Sequence, residues 1–323
     1  MSLFQTLPLV FAALTLEAVF GYPERLYRVI GHPVTWMGGW LKWLETRLNR
    51  AEDPFGTRRL AGAFGLAIYL APVVLLSAAL AVSCRSLGWP GTVALVLIMS
   101  SLPAQRSLDL HVRAVANGLD RSLEDGQRAV SQIVGRNPRV LDEAGVARAA
   151  IESLAENFSD GVVAPLFWMA LGGLTGGAVY KAINTADSMI GHRNPRYEAF
   201  GWAAARLDDL INLPASRLAA LWIIIAAALA AGASPAGAIR AVRRDASNHR
   251  SPNAGWPEAA TAGALGLKLN GPRVYGSQLV EDAYMGDGRV EATSFDIRRA
   301  LRLYRTACFV EAAAIGLAAL AIR

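Results

Sequence analysis

Four short stretches concentrate the side chains that could do chemistry. The densest is Glu152-Ser-Leu-Ala-Glu156-Asn157-Phe-Ser159-Asp160-Gly161. At about 100° per residue, Glu152, Glu156, Ser159 and Asp160 share one helix face. Like charges four residues apart destabilise a helix by roughly a few tenths of a kcal/mol, and a bound cation or a set of arginines reverses that sign. Hard carboxylate oxygens suit Mg²⁺, with a nucleotide completing its shell; a solvated helix face is the plainer alternative. The second stretch is Asn184-Thr-Ala-Asp187-Ser-Met-Ile-Gly191-His-Arg193-Asn194, with Asn184 and Asp187 one turn apart. A helix cap and a turn would explain its Asn and Gly, but not so many polar groups beside an apolar run. The third, Arg206-Leu-Asp208-Asp209-Leu-Ile-Asn212, puts two carboxylates and an amide on one face, and an Arg206–Asp209 ion pair is its simplest reading. The fourth, Asp245 to Glu258, holds Asn248-His249-Arg250-Ser251-Pro252-Asn253 and Gly255-Trp256-Pro257. It reads as an ordered polar loop, in which His249 could be a general base, a phosphate donor or a structural hydrogen-bonder.

These stretches must be positioned by helices in a membrane. Hydrophobic residues make up 53% of the 323, charged residues only 18%, and mean hydropathy is +0.30. Residues 60–83, 86–105, 161–180 and 218–239 carry no charge at all. About 20 apolar helical residues span a hydrocarbon core of about 30 Å, so the chain reads as an all-α polytopic integral membrane protein. Apolar segments lie near 3–20, 60–83, 89–104, 161–180, 213–233 and 306–322, which gives five to seven membrane segments in a single 1–323 domain. The first segment has no Lys or Arg before it and no good cleavage site, and so reads as an uncleaved span. Cys84 and Cys308 are far apart in apolar surroundings and read as packing residues.

Between the segments lie long polar stretches, with seven Lys/Arg in 21–59, seven in 103–160 and eleven in 234–305. The positive-inside rule puts these on the cytoplasmic side of the cell's inner membrane. The stretch 181–212 breaks parity, because two full crossings would place it outside; the glycine-rich run Leu171–Gly177 suits a broken or re-entrant segment. Helices are expected from the 108/112/115/119 stripe, from a Ser122 cap to a Gly135 stop, from Asp142 through Glu156, from Ser234-Pro235, and from a Ser294 cap into the last span. The ionisable residues read inside the spans are Glu17 and Glu311. With polar groups between the spans instead of within them, chemistry at the surface is favoured over passage across the membrane. The net charge of +6 points to anionic headgroups and phosphorylated substrates; without a basic tract interleaved with aromatics, nucleic acid is not an expected partner. No P-loop, GxGxxG, HExxH or GxSxG motif is present.

The four stretches, in this order, resemble the CobD/CbiB family of cobalamin biosynthesis, the adenosylcobinamide-phosphate synthases. The residues that carry the resemblance are Glu152–Gly161 with Ala164-Pro165-Leu166-Phe167, Asn184–Gly191, Gly201-Trp202 with Arg206–Leu210, and Ser251–Glu258. His32-Pro33-Val34 with Trp36-Met37-Gly38, Gly271-Pro272 with Tyr275-Gly276, and Asp296-Ile297 add to it, so that the match runs over roughly 16–305. One departure is Glu17 with Gly21-Tyr22-Pro23, where the family often has Asp before Gly-Asp-Pro. The resemblance implies an ATP- and Mg²⁺-dependent amide ligation, in which adenosylcobyric acid and aminopropanol phosphate (or ethanolamine phosphate) give adenosylcobinamide phosphate. ATP would activate the carboxylate as an acyl phosphate, and a base would neutralise the amine. Carried onto the matched positions, Glu152, Glu156, Asp160 and Asp187 would hold Mg²⁺-nucleotide. Asp208, Asp209, His249 and Glu258 would be catalytic, with His249 as the base. Arg193, Arg206 and Arg250 would bind phosphates, with Asn157 and Ser251 beside them, Asn184 and Asn253 on the corrin amides, and Trp202 and Trp256 on its apolar faces. The bilayer and other cobalamin-biosynthesis enzymes are the further expected partners. A corrinoid permease or scaffold, or a transferase using an activated donor, would consume no ATP.

Overall fold

A computed structural model describes residues 3–135, 138–275, 278–280 and 282–321; Gly276, one of the positions behind the resemblance, lies outside them. The chain is almost wholly helical. Its helices are α1 (Leu3–Phe20), α2 (Glu24–Ile30), α3 (Pro33–Leu48), α4 (Phe55–Ser86), α5 (Gly88–Met99), α6 (Gln105–Leu119), α7 (Leu123–Val130), α8 (Glu143–Phe158), α9 (Ala164–Ile190), α10 (Trp202–Leu229), α11 (Pro235–Asp245), α12 (Gly255–Leu265) and α13 (Ser294–Ala321). Two short antiparallel pairings interrupt them: Leu269–Asn270 with Tyr284–Met285, and Arg273–Tyr275 with Gln278–Val280.

Four helical stretches are long and apolar enough to cross a membrane, namely Phe55–Ser86, Glu143–Ile190, Trp202–Leu229 and Ser294–Ala321. A fifth arises if Gln5–Phe20 and Glu24–Leu48, bent by 102°, count as one span. The expected segment at 89–104 is shorter than the sequence suggested. Helix α5 stops at Met99, where Ser100, Ser101 and Pro103 end it, and twelve residues reach only about 18 Å.

The chain sorts into two compact units, one from Met1–Ala104, Ala164–Asn212 and Ile315–Arg323, the other from Gln105–Val163 and Leu213–Ala314. In the first, α3, α4, α9 and α10 share a core of Leu41, Leu44, Leu66, Tyr69, Ala182, Ala186, Ile190, Phe200 and Ala204. Ala182, Ala186 and Ile190 repeat every four residues, one stripe of α9. Tyr180, Asn184 and Asp187 therefore fall on the opposite stripe. Helix α9 is broken as its glycines suggest: Gly173 has φ 60° and ψ −147°, outside the helical region. A Cβ on Gly176 would sit 2.2 Å from the Trp168 carbonyl oxygen. A straight helix holds residues eight apart at about 12 Å, so the backbone doubles back here.

The linker from α9 to α10 is equally tight. A Cβ on Gly201 would meet the Ile190 carbonyl oxygen at 1.6 Å. Gly201→Ala should therefore destabilise the protein by about 3 kcal/mol, the upper range for overpacking, and lower the thermal midpoint followed by tryptophan emission. An unchanged midpoint would mean that the linker moves aside freely.

In the second unit the polar stretches are helical, as their caps predict. Ser122 accepts from the Asp125 amide, Asp142 from Gly145 (2.7 Å), and Ser234 from Gly237 with Pro235 following. Leu108, Val112, Val115 and Leu119 are the buried stripe of α6. Two boundaries differ. Helix α7 ends at Val130, not at Gly135. Ser294 does not cap α13: Asp296 accepts from the Thr293 amide and hydroxyl (2.9 and 3.0 Å), while the Ser294 hydroxyl donates to Asp120 (2.7 Å).

Candidate functional site

The first unit gathers the Asn184 and Arg206 stretches into one polar cluster. Asp208, 8% exposed, accepts from Asn212 Nδ2 (2.9 Å) on its own helix and from Asn184 Nδ2 (3.4 Å) on α9. Asn212 is fixed in turn by the Tyr180 hydroxyl, which donates to its Oδ1 at 2.9 Å. Trp168 Nε1 donates to the Ile211 carbonyl (3.1 Å), so the indole holds α10 as well. Asp187 and Asp209 both lie close enough to repel Asp208. Asp209 has the expected ion pair with Arg206 (3.1 Å). Among the described residues no Lys or Arg pairs with Asp208, a buried carboxylate braced by neutral amides alone.

The linker that follows α9 is clamped onto α3 and α4. Buried Glu45 takes the Arg196 guanidinium in a bidentate pair (2.9 Å to each oxygen). Asn49 donates to the Arg196 carbonyl, and Arg58 reaches Asn49 and the Pro195 carbonyl. This leaves Arg193 exposed on the clamped loop. Trp202 is also exposed, and the Arg59 guanidinium lies over its ring at 3.5 Å. His32 serves locally as the cap of α3, its Nδ1 accepting from the Val34 amide.

The second unit holds the other two stretches. Glu152 is 6% exposed, and its Oε1 accepts the Asn270 amide at 2.8 Å. Asn270 has φ 57°, and its side chain donates to the Ala283 carbonyl. A solvated face does not describe Glu152, because it is buried and a backbone donor claims one of its oxygens. Glu156 and Asn157 are exposed, Asp160 half-buried, and Asn157 donates to the Ser153 carbonyl. In the His249 loop, the Ser251 hydroxyl accepts from the Asn253 and Ala254 amides (both 3.2 Å). The Ser251 amide donates to His249 Nδ1 at 3.0 Å. Nδ1 also lies 3.3 Å from the Ser251 carbonyl oxygen, and Nε2 faces Glu258, whose Oε1 is 3.8 Å away. Arg250 pairs with Asp282 (2.5 Å). Asp245 accepts the Gly286 amide and pairs with Arg244, whose guanidinium also holds the Asp287 carboxyl below the usual carboxylate range.

A residue that the sequence did not single out sits among these. Arg217, in the apolar run of α10, donates from Nη1 to Asn253 Oδ1 (3.0 Å) and the Ser216 hydroxyl (2.9 Å) and lies over the Trp256 ring at 4.4 Å. It belongs beside Glu17 and Glu311 among the ionisable residues within the spans, and a lone arginine in an apolar run is the signal that marks it. Asn253 and Trp256, read as corrin contacts, here hold this guanidinium. Tyr180 and Ser216, also not singled out, complete the two networks.

Among the described residues, no group of three or more His, Cys, Asp or Glu side chains converges as a resident metal ion would require. Mg²⁺ that arrives with a nucleotide needs only one or two carboxylates, the phosphates and water supplying the rest. Half-buried Asp187 fits that smaller demand, whereas Asp208 already accepts from an amide at each oxygen.

Residues 10–304 match the CobD/Cbib protein family. The chain is 49% identical over 311 residues to a protein of Rhizobium meliloti (strain 1021), covering 95% of each. It is 45% identical to one of Rhodobacter capsulatus over 310 residues, again 95% of each, and 48% identical to one of Brucella suis biovar 1 (strain 1330) over 295 residues, 90% of each. All three relatives are named "Cobalamin biosynthesis protein CobD". No solved structure matches.

Proposed function

This chain belongs to the CobD/Cbib protein family, and from that premise we propose that it is the ligase that joins adenosylcobyric acid to aminopropanol phosphate or its ethanolamine counterpart. Its place in cobalamin biosynthesis rests on the family and the relatives' shared name; the reaction is our reading. The observation that carries the reading is the Asp208 cluster, a buried carboxylate with no cationic side-chain partner among the described residues, beside Asp187 and Asp209. Like charges held together in a protein either take up a proton or are balanced by a cation, and a metal–nucleotide complex brings such a cation.

Asp187 would hold the Mg²⁺ of the nucleotide, with Asp209 kept in place by Arg206. When bound, Mg²⁺-ATP supplies the phosphoryl group that turns the acid's oxygen into a leaving group. Asp208 then accepts the ammonium proton, freeing the amine lone pair to attack the activated carbonyl. Asn184 and Asn212 stabilise the carboxylate before that transfer and fix where its open lone pairs point. Arg193 is exposed on the clamped linker, placed to meet phosphate oxygens. The reaction is placed on the cytoplasmic face of the membrane, where both ATP and the phosphorylated amine are found.

Two outcomes test this reading. ADP should appear only when both the corrinoid acid and the amine phosphate are supplied with Mg²⁺ and ATP. ADP release independent of the corrinoid would refute it. Asp208→Asn should lower the ligation rate at least about 100-fold, the usual weight of a positioned base, with nucleotide binding retained. A rate within a few-fold of the unchanged protein would take the proton-acceptor role away from Asp208.

A further inference from the structure

Arg217 is a cation to which the reaction above gives no task. It lies in α10 four residues past Leu213, where a charge in apolar surroundings is costly and therefore functional by default. Its surroundings orient it without neutralising it. Nη1 alone makes the bonds, to Asn253 Oδ1 (3.0 Å), the Ser216 hydroxyl (2.9 Å) and the Leu213 carbonyl (3.3 Å). Every one of these acceptors is uncharged. The guanidinium carbon lies over the Trp256 ring, 4.4 Å from its centroid, a cation–π contact. Among the described residues no carboxylate pairs with it. That sets it apart from Arg196 on Glu45, Arg206 on Asp209 and Arg250 on Asp282. Among the described residues nothing accepts from the Nε–H or the Nη2 hydrogens, and these form the edge of the fork that matches two oxygens of a phosphate.

We propose that Arg217 anchors a small phosphomonoester through this open edge, with Trp256, Asn253 and Ser216 as its positioning residues. Resting on the ligase reading, this identifies the group gripped as the phosphate of the amine substrate. The chemistry follows from the donors. A phosphomonoester dianion takes two parallel N–H bonds from a planar fork, and a cation that no carboxylate neutralises keeps its full charge for it. The predicted consequence is specificity: the amine is recognised by its phosphate, so the unphosphorylated amino alcohol should bind poorly. An anionic lipid headgroup carries the same phosphate chemistry, and the lipid arm of the test separates the two.

The protein in nanodiscs of phosphatidylcholine would be titrated with aminopropanol phosphate and, separately, with inorganic phosphate. Binding would be read by calorimetry and by tryptophan emission. The unchanged protein should show a saturable emission change that Trp256→Phe abolishes, because the anion draws on the guanidinium that lies over that ring. Arg217→Gln should weaken binding of the phosphomonoester at least about tenfold and raise its KM, while the KM for the corrinoid acid stays within about twofold. Arg217→Lys keeps the charge but not the fork; it is expected to fold and still to bind several-fold more weakly, so it carries the test if the Gln variant does not fold. Equal binding in the folded Lys or Gln variant overturns the proposal. So does an emission change that appears only with phosphatidylglycerol in the disc and does not compete with the soluble ester. Tight phosphomonoester binding lost in Arg217→Gln, in a protein that never makes product, would sink the ligase reading and leave the anchor standing.

Discussion

Replacing Asp187 by Asn should cut ligation roughly a thousandfold with the fold intact. The side chain keeps its size and loses only the charge that would hold Mg²⁺. Stabilisation of developing charge by a metal amounts to several kcal/mol, and every 1.36 kcal/mol is a factor of about ten in rate. The opposite sign is expected for stability. Asp187 is half-buried and close to two other carboxylates, so removing one charge relieves repulsion and the thermal midpoint should hold or rise. Rate and midpoint would be measured on the same preparation. Unchanged turnover removes Asp187 from the site; a midpoint that collapses along with the rate makes it a structural residue.

Glu152→Ala should do the reverse. Its Oε1 is the acceptor for the Asn270 amide in a buried setting, and an orphaned buried donor costs about 1–3 kcal/mol, more when the lost partner is charged. The loss should destabilise the Leu269–Asn270 and Tyr284–Met285 pairing that this bond ties to α8, seen as faster amide exchange there and as a lower midpoint for the whole protein. Turnover per folded molecule should fall far less than in Asp187→Asn, and Glu152→Gln, which keeps a carbonyl oxygen at the same place, should recover most of the stability. An alanine variant as stable as the unchanged protein but inactive would return Glu152 to the metal set in which the family resemblance puts it.

That contrast shows where the sequence is informative. Hydropathy and capping read out the helices because they depend on local spacing: Ser122, Asp142 and Ser234 cap where they are expected to, and the glycine run of α9 breaks at Gly173. The Arg206–Asp209 pair is legible for the same reason, since three residues on a helix are neighbours. Glu152 misleads because its partner lies 118 residues away, in a turn whose left-handed Asn270 no periodicity announces. Equal spacing of carboxylates on α8 thus conceals unequal fates, one buried on a backbone amide and Glu156 exposed. Arg217 is missed for another reason. It falls at the edge of an apolar run and reads as the run's boundary, whereas Asn253 and Trp256, 36 and 39 positions on, are what give it meaning. His249 is visible as a residue but not as a geometry, because the Ser251 amide that occupies its Nδ1 comes from the fold of the loop.

The central claim is amide formation by this chain, and mass spectrometry of the corrinoid tests it most directly. Purified protein in lipid nanodiscs would be given adenosylcobyric acid, aminopropanol phosphate, Mg²⁺ and ATP. The account predicts a corrinoid heavier by the amine phosphate less one water, formed only when all four are present. Corrinoid that binds but emerges with its mass unchanged, and with ATP unspent, would contradict it and point to a permease or scaffold.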